Sequence, residues 1–167
     1  WQRLFVIAGG VMFNFIFAIL MYSVILDIWG ESYLPNKGNK IYVNELAYEM
    51  GFRNGDEILS FDDYIPEDFG MLQADLARQT ASKAKVLRDG DTVNIYIDHS
   101  MIGQVLNTPG MFDLALPFKV QSVSETSPNA GLDVRKGDMV ITVAGEEVNY
   151  VQEAWPILEK HPGEEIA

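Results

Sequence analysis

The residue types that carry most enzyme chemistry are scarce in this sequence. Only two histidines occur, His99 and His161, and neither belongs to an H-E-x-x-H pair. Cysteine is absent, which excludes a disulfide framework, a thiolate metal cluster and a cysteine nucleophile. The acidic pairs at 146–147 and 164–165 lack the apolar neighbours that would give an acid and a base different roles. We therefore predict no catalytic residue and no metal ligand set within this chain.

The charge balance excludes one large class of partner. The 167 residues include 12 Lys and Arg against 24 Asp and Glu, a formal net charge of −12 at pH 7. Binding to phosphate backbones requires a net basic face, so we predict that nucleic acid is not a partner. Because 48% of the residues are hydrophobic, the chain can still bury a substantial core.

The first part of the chain is apolar enough to lie in a lipid bilayer. Residues 4–26 carry no charge, and at about 1.5 Å per residue they would span roughly 35 Å, more than a hydrocarbon core of roughly 30 Å. A buried soluble helix would show a polar face, and a signal peptide would have a shorter apolar region and a small-residue cleavage site. We predict a transmembrane helix over 1–30 and a connector over 31–39. Arg3 and Asp27 at its two ends favour a cytoplasmic N-terminus, with the remainder extracytoplasmic.

A compact module is predicted over residues 40–98. A short β-prone run at 41–43 precedes a turn with Gly55-Asp56 and a second strand. An amphipathic helix is predicted over 66–77, and a hairpin over 85–97, where an Asp-Gly pair suits a tight turn between alternating apolar residues.

A related pattern recurs over residues 113–167. It predicts a strand at 120–123, a turn with Gly137-Asp138 followed by a strand, and a helix over 149–160. The spacing of the two copies is long enough for each to be a small domain of its own rather than a solenoid unit. Residues 99–112 are predicted as the linker, and the second copy as incomplete at its C-terminus.

These patterns resemble known families. Residues 130–145 read A-G-L-D-V-R-K-G-D-M-V-I-T-V-A-G, similar to the A-G-L-x-x-G-D-x-I-x-x-V-x-G run of bacterial PDZ domains, and residues 46–59 are a looser copy. On the apolar run, Gly10 and Asn14 match a G-P-x-x-N motif, with Val11 in place of its proline. A spanning helix with this motif, followed by tandem PDZ-like modules, resembles the site-2 protease family of intramembrane zinc metalloproteases.

The resemblance implies an α+β fold class, with one N-terminal transmembrane helix followed by two PDZ-like small β-barrel or sandwich domains, the second truncated. It implies a parent zinc metalloendopeptidase of the bacterial inner membrane, active in regulated intramembrane proteolysis, with its PDZ region in the periplasm. The family's H-E-x-x-H and L-D-G motifs do not occur here, so we expect this fragment to be inactive alone and to bind no zinc. The implied partners are the lipid bilayer and a membrane protein substrate such as an anti-sigma factor or a signal-peptide remnant.

The same resemblance predicts a peptide site, because PDZ modules add a peptide as a strand beside an edge strand, with a helix as the other wall. Asp113 stands where a glycine is common and would repel a peptide carboxylate. Pro156 would interrupt a helix begun at Asn149, so we expect a kink or a start near Glu153. An alternative stays open, namely that the apolar residues of this site only fill the domain core. The candidate peptide-binding residues are Leu114, Ala115, Leu116, Phe118, Val151, Ala154, Trp155 and Leu158.

Two other architectures share these features. A non-catalytic, membrane-tethered PDZ adaptor or secretion component would have the same helix and modules, and would be favoured if no H-E-x-x-H preceded this chain in its gene. A periplasmic serine protease of the HtrA type would place its protease domain between the anchor and the PDZ pair. Only residues 31–39 lie between them here, which disfavours that architecture.

Overall fold

The computed structural model of the chain describes residues 1–30 and 32–164, which form two compact units, one over Trp1–Leu34 and one beginning at Pro35. The first unit is α1 (Gln2–Trp29), and the N–H of Gly30 closes its last turn on the carbonyl of Leu26 at 2.8 Å. Within the described residues, α1 is the one helix that is long and apolar enough to cross a membrane. The predicted N-terminal helix is therefore confirmed.

Most described side chains of α1 are apolar, and exposed apolar side chains occur on every side of the helix, as at Val11, Phe13 and Ile16. An apolar surface around the whole circumference is typical of a helix surrounded by lipid. The hydroxyl of Ser23 donates to the carbonyl of Ile19 at 2.8 Å, so its polar group is satisfied inside the helix. Sequence and geometry therefore both fit a membrane-spanning segment.

The first module begins the second unit and contains two antiparallel sheets. Its elements, in chain order, are β1 (Ile41–Val43), α2 (Glu45–Glu49), β2 (Glu57–Phe61), α3 (Leu72–Gln79), β3 (Lys83–Arg88), β4 (Asp91–Tyr96), α4 (His99–Val105) and β5 (Phe112–Leu114). In one sheet β2, β3 and β4 are neighbours in that order, and in the other β1 pairs with β5, with Tyr42 opposite Asp113.

The hairpin of β3 and β4 forms as predicted. Asp89 and Gly90 both have positive φ angles, 51° and 93°, which is the geometry of a type I′ turn. Ile95 and Ile97, on alternate positions, are buried in the core of the module. The helix that was predicted over 66–77 is shorter and begins later in the chain. A 3₁₀ turn occupies Phe69–Met71, and α3 begins at Leu72.

The predicted linker over 99–112 is wrong. This stretch forms α4 and most of β5, and Val105 and Met111 are completely buried in the core of the first module. Because β5 pairs with β1, the first module extends to Leu114, and the predicted boundary at 113 falls inside a strand. The carboxylate of Asp98 begins α4 by accepting from the N–H of Ser100 at 2.8 Å.

The second module is smaller. It contains β6 (Thr142–Val143), β7 (Glu146–Glu147) and α5 (Val151–Leu158), and its core consists of Val143, Val148, Ala154 and Ile157. The predicted strand at 120–123 does not form in the described part of the chain, where Val120 instead exchanges backbone hydrogen bonds with Gly137 and Asp138. Pro156 lies inside α5, which begins earlier than the alternative start near Glu153.

The two modules repeat one backbone arrangement, which bears out the repeat in the sequence. In the first, the N–H of Ile41 donates to the carbonyl of Asp56, and the N–H of Gly55 to the carbonyl of Ile41, both at 2.8 Å. In the second, Val120 donates to Asp138 at 2.9 Å, and Gly137 to Val120 at 2.8 Å. The chain is thus a mixed structure of helices and small sheets, in line with the coarse α+β prediction.

Candidate functional site

The strand side of the predicted peptide site belongs to both modules. Leu114 ends β5 opposite Ile41 and packs against the first core, and Ala115 donates its N–H to the carbonyl of Lys40 at 2.8 Å. Leu116 is exposed, whereas Phe118 is half-buried against the second core. The four residues therefore do not line one wall of a single groove.

The helix side is divided in the same way. Ala154 is buried in the core of the second module, and Val151 is half-buried. Trp155 is 59% exposed and Leu158 lies at the surface. The core alternative thus fits Ala154, whereas Trp155 and Leu158 remain free to contact another molecule.

Gln152 occupies the strand edge at which a peptide would have to pair. Its Nε2 donates to the carbonyl of Leu114 at 2.5 Å, and its Oε1 accepts from the N–H of Leu116 at 3.4 Å. The N–H of Val151 donates to the carbonyl of Leu116 at 2.9 Å. A side-chain amide carries the same donor and acceptor as a peptide group, so Gln152 takes the position of a neighbouring strand. Sequence reasoning missed this residue, because nothing in the local sequence distinguishes Gln152 from an ordinary polar residue in the first turn of a helix.

A second glutamine holds the preceding segment in a similar way. Gln73, the second residue of α3, donates from Nε2 to the carbonyls of Val105 and Thr108, the latter at 2.7 Å. Its Oε1 accepts from the N–H of Met111 at 3.1 Å. Both glutamines are the second residue of their helix, and together they tie residues 105–116 to α3 and α5. Side chains from both modules therefore hold the backbone of residues 105–116 in place.

The two modules meet at a pair of tyrosines. The rings of Tyr42 and Tyr150 pack edge to face with 6.2 Å between centroids. Burial raises the pKa of Tyr150, and so do the negative charges of Glu153, Asp89 and Asp56. A cleft of about 510 Å³ opens beside Tyr150, and its polar lining includes Lys40, Asn54, Asp89, Asn149 and Glu153.

An apolar cleft lies on the second module and shares Phe118 with the predicted site. Its volume is about 550 Å³, and it is lined by the segment from Phe118 to Ser124. Val120, Val123, Val134 and Val140 form its apolar lining. A cleft with such a lining has the features of a peptide groove, which the family resemblance had placed at 114–118 and α5.

The described residues do not form a zinc site. Among residues 1–30 and 32–164, no group of three or more His, Cys, Asp or Glu side chains is placed to hold a metal ion. His99 contacts the hydroxyl of Ser82 at 2.9 Å through Nε2, and His161 contacts the carboxylate of Glu164 at 2.8 Å through Nδ1. These residues therefore do not fit the ligand set of a catalytic zinc ion.

The family motif on α1 lies on an open helix surface. Gly10 and Asn14 are both exposed, and no atom lies within 4 Å of the position that a Cβ on Gly10 would take. Small residues and side-chain amides are the groups that allow close packing and hydrogen bonding between membrane helices. The motif is therefore accessible to another helix.

The known proteins to which this chain is similar share one class of name. No protein-family model matches the chain. Metalloprotease MmpA of Caulobacter vibrioides is 29% identical over 155 residues, which cover 86% of this chain and 38% of that protein. A protein of Thermotoga maritima, named provisionally as a zinc metalloprotease, is 25% identical over 149 residues, which cover 89% of this chain and 27% of that protein.

The chain thus resembles part of proteins that are named as metalloproteases, and it spans well under half the length of these curated relatives. A third relative, from Clostridium perfringens and also named provisionally as a zinc metalloprotease, is 24% identical over 120 residues. The resemblance drawn from the sequence motifs and the similarity to these proteins therefore agree on the class of the parent protein.

Proposed function

We propose that this chain is a segment of a membrane-embedded zinc metalloprotease of the site-2 protease family, and that its two modules are PDZ-like domains that gate substrate access. The observation that carries the proposal is the similarity to metalloprotease MmpA across 86% of the chain. The long apolar helix α1 supports a membrane location. The repeated turn at Asp56 and Asp138 supports two copies of one domain type.

The catalytic zinc of the parent protein would be held by residues outside this chain. In such sites zinc activates a water molecule for attack on the peptide bond. The described residues offer no ligand set for the metal, and the role proposed for this chain is to select substrates. The substrates implied by the family are membrane proteins, such as an anti-sigma factor or a signal-peptide remnant, at the periplasmic side of the bacterial inner membrane.

Exclusion of bulky substrates fits the contacts better than capture of a peptide at the predicted edge. The backbone groups of Leu114 and Leu116 are already bonded to Gln152, so an incoming strand would have to displace that side chain. Asp113 is exposed next to this edge and would repel a peptide carboxylate. After Gly30 the chain has 11 Lys and Arg and 23 Asp and Glu, or 11 − 23 = −12, so anionic lipid headgroups would repel the modules.

The test is deletion of residues 35–164 from the full-length protease. Two membrane-spanning substrates are compared, one with a folded extracytoplasmic domain and one already trimmed. We expect the deletion variant to cleave both, and the intact protease to cleave only the trimmed one. The variant Trp155→Glu, which changes an exposed residue, serves as the folded control and should behave like the intact protease. Loss of cleavage of the trimmed substrate on deletion would show that the modules deliver substrates rather than exclude them.

A membrane-tethered peptide-binding adaptor is the second candidate, and the apolar cleft along Phe118–Ser124 is the observation that favours it. An adaptor needs an open groove but no catalytic partner segment. The reading frame that contains this chain distinguishes the two candidates. An H-E-x-x-H sequence encoded upstream of Trp1 supports the protease, and a frame without it supports the adaptor.

A further inference from the structure

A buried carboxylate of the first module lies beside a cleft. Asp75 belongs to the first turn of α3, and its side chain keeps only 3% of its surface exposed. Its Oδ1 accepts from Nη1 of Arg78 at 3.0 Å, and its Oδ2 accepts from the hydroxyl of Tyr64 at 3.3 Å. These three residues help to line a cleft of about 310 Å³, which shares no residue with the predicted peptide site or with the apolar cleft of the second module.

The pairing of Asp75 is incomplete when it is compared with that of Asp56, the other buried carboxylate among the described residues. Asp56 accepts from Nε and Nη2 of Arg88 at 2.7 and 2.8 Å and from the N–H of Arg53 at 2.9 Å. Asp75 accepts one bond from an arginine side chain that is 60% exposed, and its contact with Tyr64 is long. A buried carboxylate needs close and complete pairing, so Asp75 has capacity for a further donor.

Three exposed side chains form the walls of this cleft. Ile65 keeps 70% of its surface exposed, and Met71 and Tyr64 are exposed as well. Apolar walls that lead to a buried polar group favour a ligand with an apolar body and a polar tip. An aromatic ring in such a wall also attracts a cation.

The lining of the cleft is negatively charged. The carboxylates of Glu67, Asp68 and Asp75 stand against the single guanidinium of Arg78. On a chain with a net charge of −12, this excess is complementary to a cationic group of a partner. Lysine fits best among the side chains, because it joins a flexible four-carbon stem to a compact ammonium, whereas a guanidinium requires a planar, bidentate partner.

We propose that this cleft binds a lysine side chain of a partner protein, with its stem against Ile65 and Met71 and its ammonium at Asp75. Arg78 competes for the same carboxylate, and its exposed side chain can turn into solvent when the ammonium takes its place. Such a site recognises an internal residue and needs no chain terminus. The inference therefore goes beyond the proposed gate and applies equally to a protease or an adaptor.

The test compares two pentapeptides that differ only in their central residue, lysine in one and norleucine in the other, with alanine at the remaining positions. Both peptides are acetylated and amidated, so a groove that needs a free carboxylate does not bind them. The 167-residue chain is held in detergent micelles, and the titration is followed by the NMR signals of the α3 amides. We expect saturable binding of the lysine peptide, about tenfold or more tighter than that of the norleucine peptide, because a charge-assisted hydrogen bond is lost.

Variants of the chain separate recognition from folding. Asp75→Asn should weaken binding of the lysine peptide about tenfold or more, whereas Arg78→Gln should strengthen it, because the competing cation is gone. Ile65→Ser changes an exposed residue, so it should keep the fold and weaken binding through the lost contact with the stem. Asp63→Asn is the matched control, since Asp63 is an exposed carboxylate of the same loop outside the cleft lining, and binding should change less than about twofold.

Absence of saturable binding, or equal binding of the two peptides, would overturn the inference. Equal binding by the unchanged chain and Asp75→Asn would overturn it too, and if that variant does not fold, Ile65→Ser decides. Binding that requires a free C-terminus would also contradict it, because the ligand would then occupy a groove of the PDZ type. None of these outcomes bears on the substrate gate, which is tested by deletion of residues 35–164.

Discussion

Arg88 and Asp56 form a bidentate ion pair in which the aspartate has no exposed surface and the arginine side chain keeps 28% of its own. The pair joins the end of β3 to the turn that receives β1. The hydrogen bonds that the guanidinium donates to Asp56 raise the pKa of Arg88, which keeps the guanidinium charged across the whole accessible pH range. This contact therefore joins two parts of the first module that are 32 positions apart in sequence.

Removing one partner of this pair should destabilise the first module strongly. Arg88→Gln leaves a buried carboxylate without its cation, which costs about 3–5 kcal/mol. Urea unfolding, followed by hydrogen exchange at the β3 amides, measures the loss. The matched control is Arg135→Gln, whose exposed pair with Asp133 should contribute less than about 1 kcal/mol. Equal effects of the two substitutions would mean that the Arg88 pair has no special role.

The stability lost in Gly55→Ala should be partly recovered when the facing tyrosine loses its hydroxyl. A Cβ on Gly55 would lie 2.5 Å from Oη of Tyr150, and the next atom of that ring is 3.7 Å away. Gly55→Ala therefore adds a clash between the modules to a backbone cost of about 1–2 kcal/mol at positive φ. Thermal unfolding should show that Tyr150→Phe recovers part of the loss in Gly55→Ala.

Gly90→Ala separates the two contributions to that loss. Gly90 has a φ of 93°, close to the 90° of Gly55, but nothing lies within 4 Å of its Cβ position. It should show the backbone cost alone and gain nothing from Tyr150→Phe. If Gly55→Ala and Gly90→Ala lose the same amount of stability in thermal unfolding, Tyr150 does not restrict the space at Gly55.

The contact between the modules should weaken in alkaline solution. Burial and the negative charges of Glu153 and Asp89 hold the pKa of Tyr150 above its ordinary value of 10.0. The folded state therefore binds the phenolic proton more tightly than the unfolded state. This contribution is fully present below pH 10.0 and is lost as the pH rises through the raised pKa. Tyrosinate absorbance against pH should show a late-titrating group that is absent in Tyr150→Phe.

The topology can be tested with single cysteines, because the chain has none of its own. Ser32→Cys and Asn107→Cys place a thiol at exposed positions. In intact cells, both should react with a membrane-impermeant thiol reagent if the modules are extracytoplasmic. Labelling that appears only after lysis would reverse the proposed orientation.

Features set by local sequence were the ones that could be predicted. The hairpin around Asp89-Gly90 follows from its turn residues and alternating apolar positions, and α1 follows from its uncharged length. The pairing of β1 with β5 could not be predicted, because Tyr42 and Asp113 are far apart in sequence and β5 has only three residues. Because of this pairing, the segment that was predicted as a linker belongs to the first module.

The candidate site depended even more on non-local contacts. Gln73 and Gln152 resemble ordinary polar helix residues, and only the folded chain brings their amides to the backbone of residues 105–116. The apolar residues on α5 were predicted as a group, but the pitch of a helix that contains Pro156 divides them between the core and the surface. The repeated Gly-Asp turn was predictable, because consecutive residues determine its geometry.

The most direct test of the assignment to a zinc metalloprotease uses the protein encoded by the complete reading frame that contains this chain. The purified membrane protein is assayed for bound zinc and for cleavage of a trimmed membrane-spanning substrate, before and after treatment with a chelator. We expect stoichiometric zinc, cleavage that the chelator abolishes, and recovery when zinc is returned. A correctly inserted, folded protein that holds no zinc and cleaves no substrate would contradict the assignment to a zinc metalloprotease.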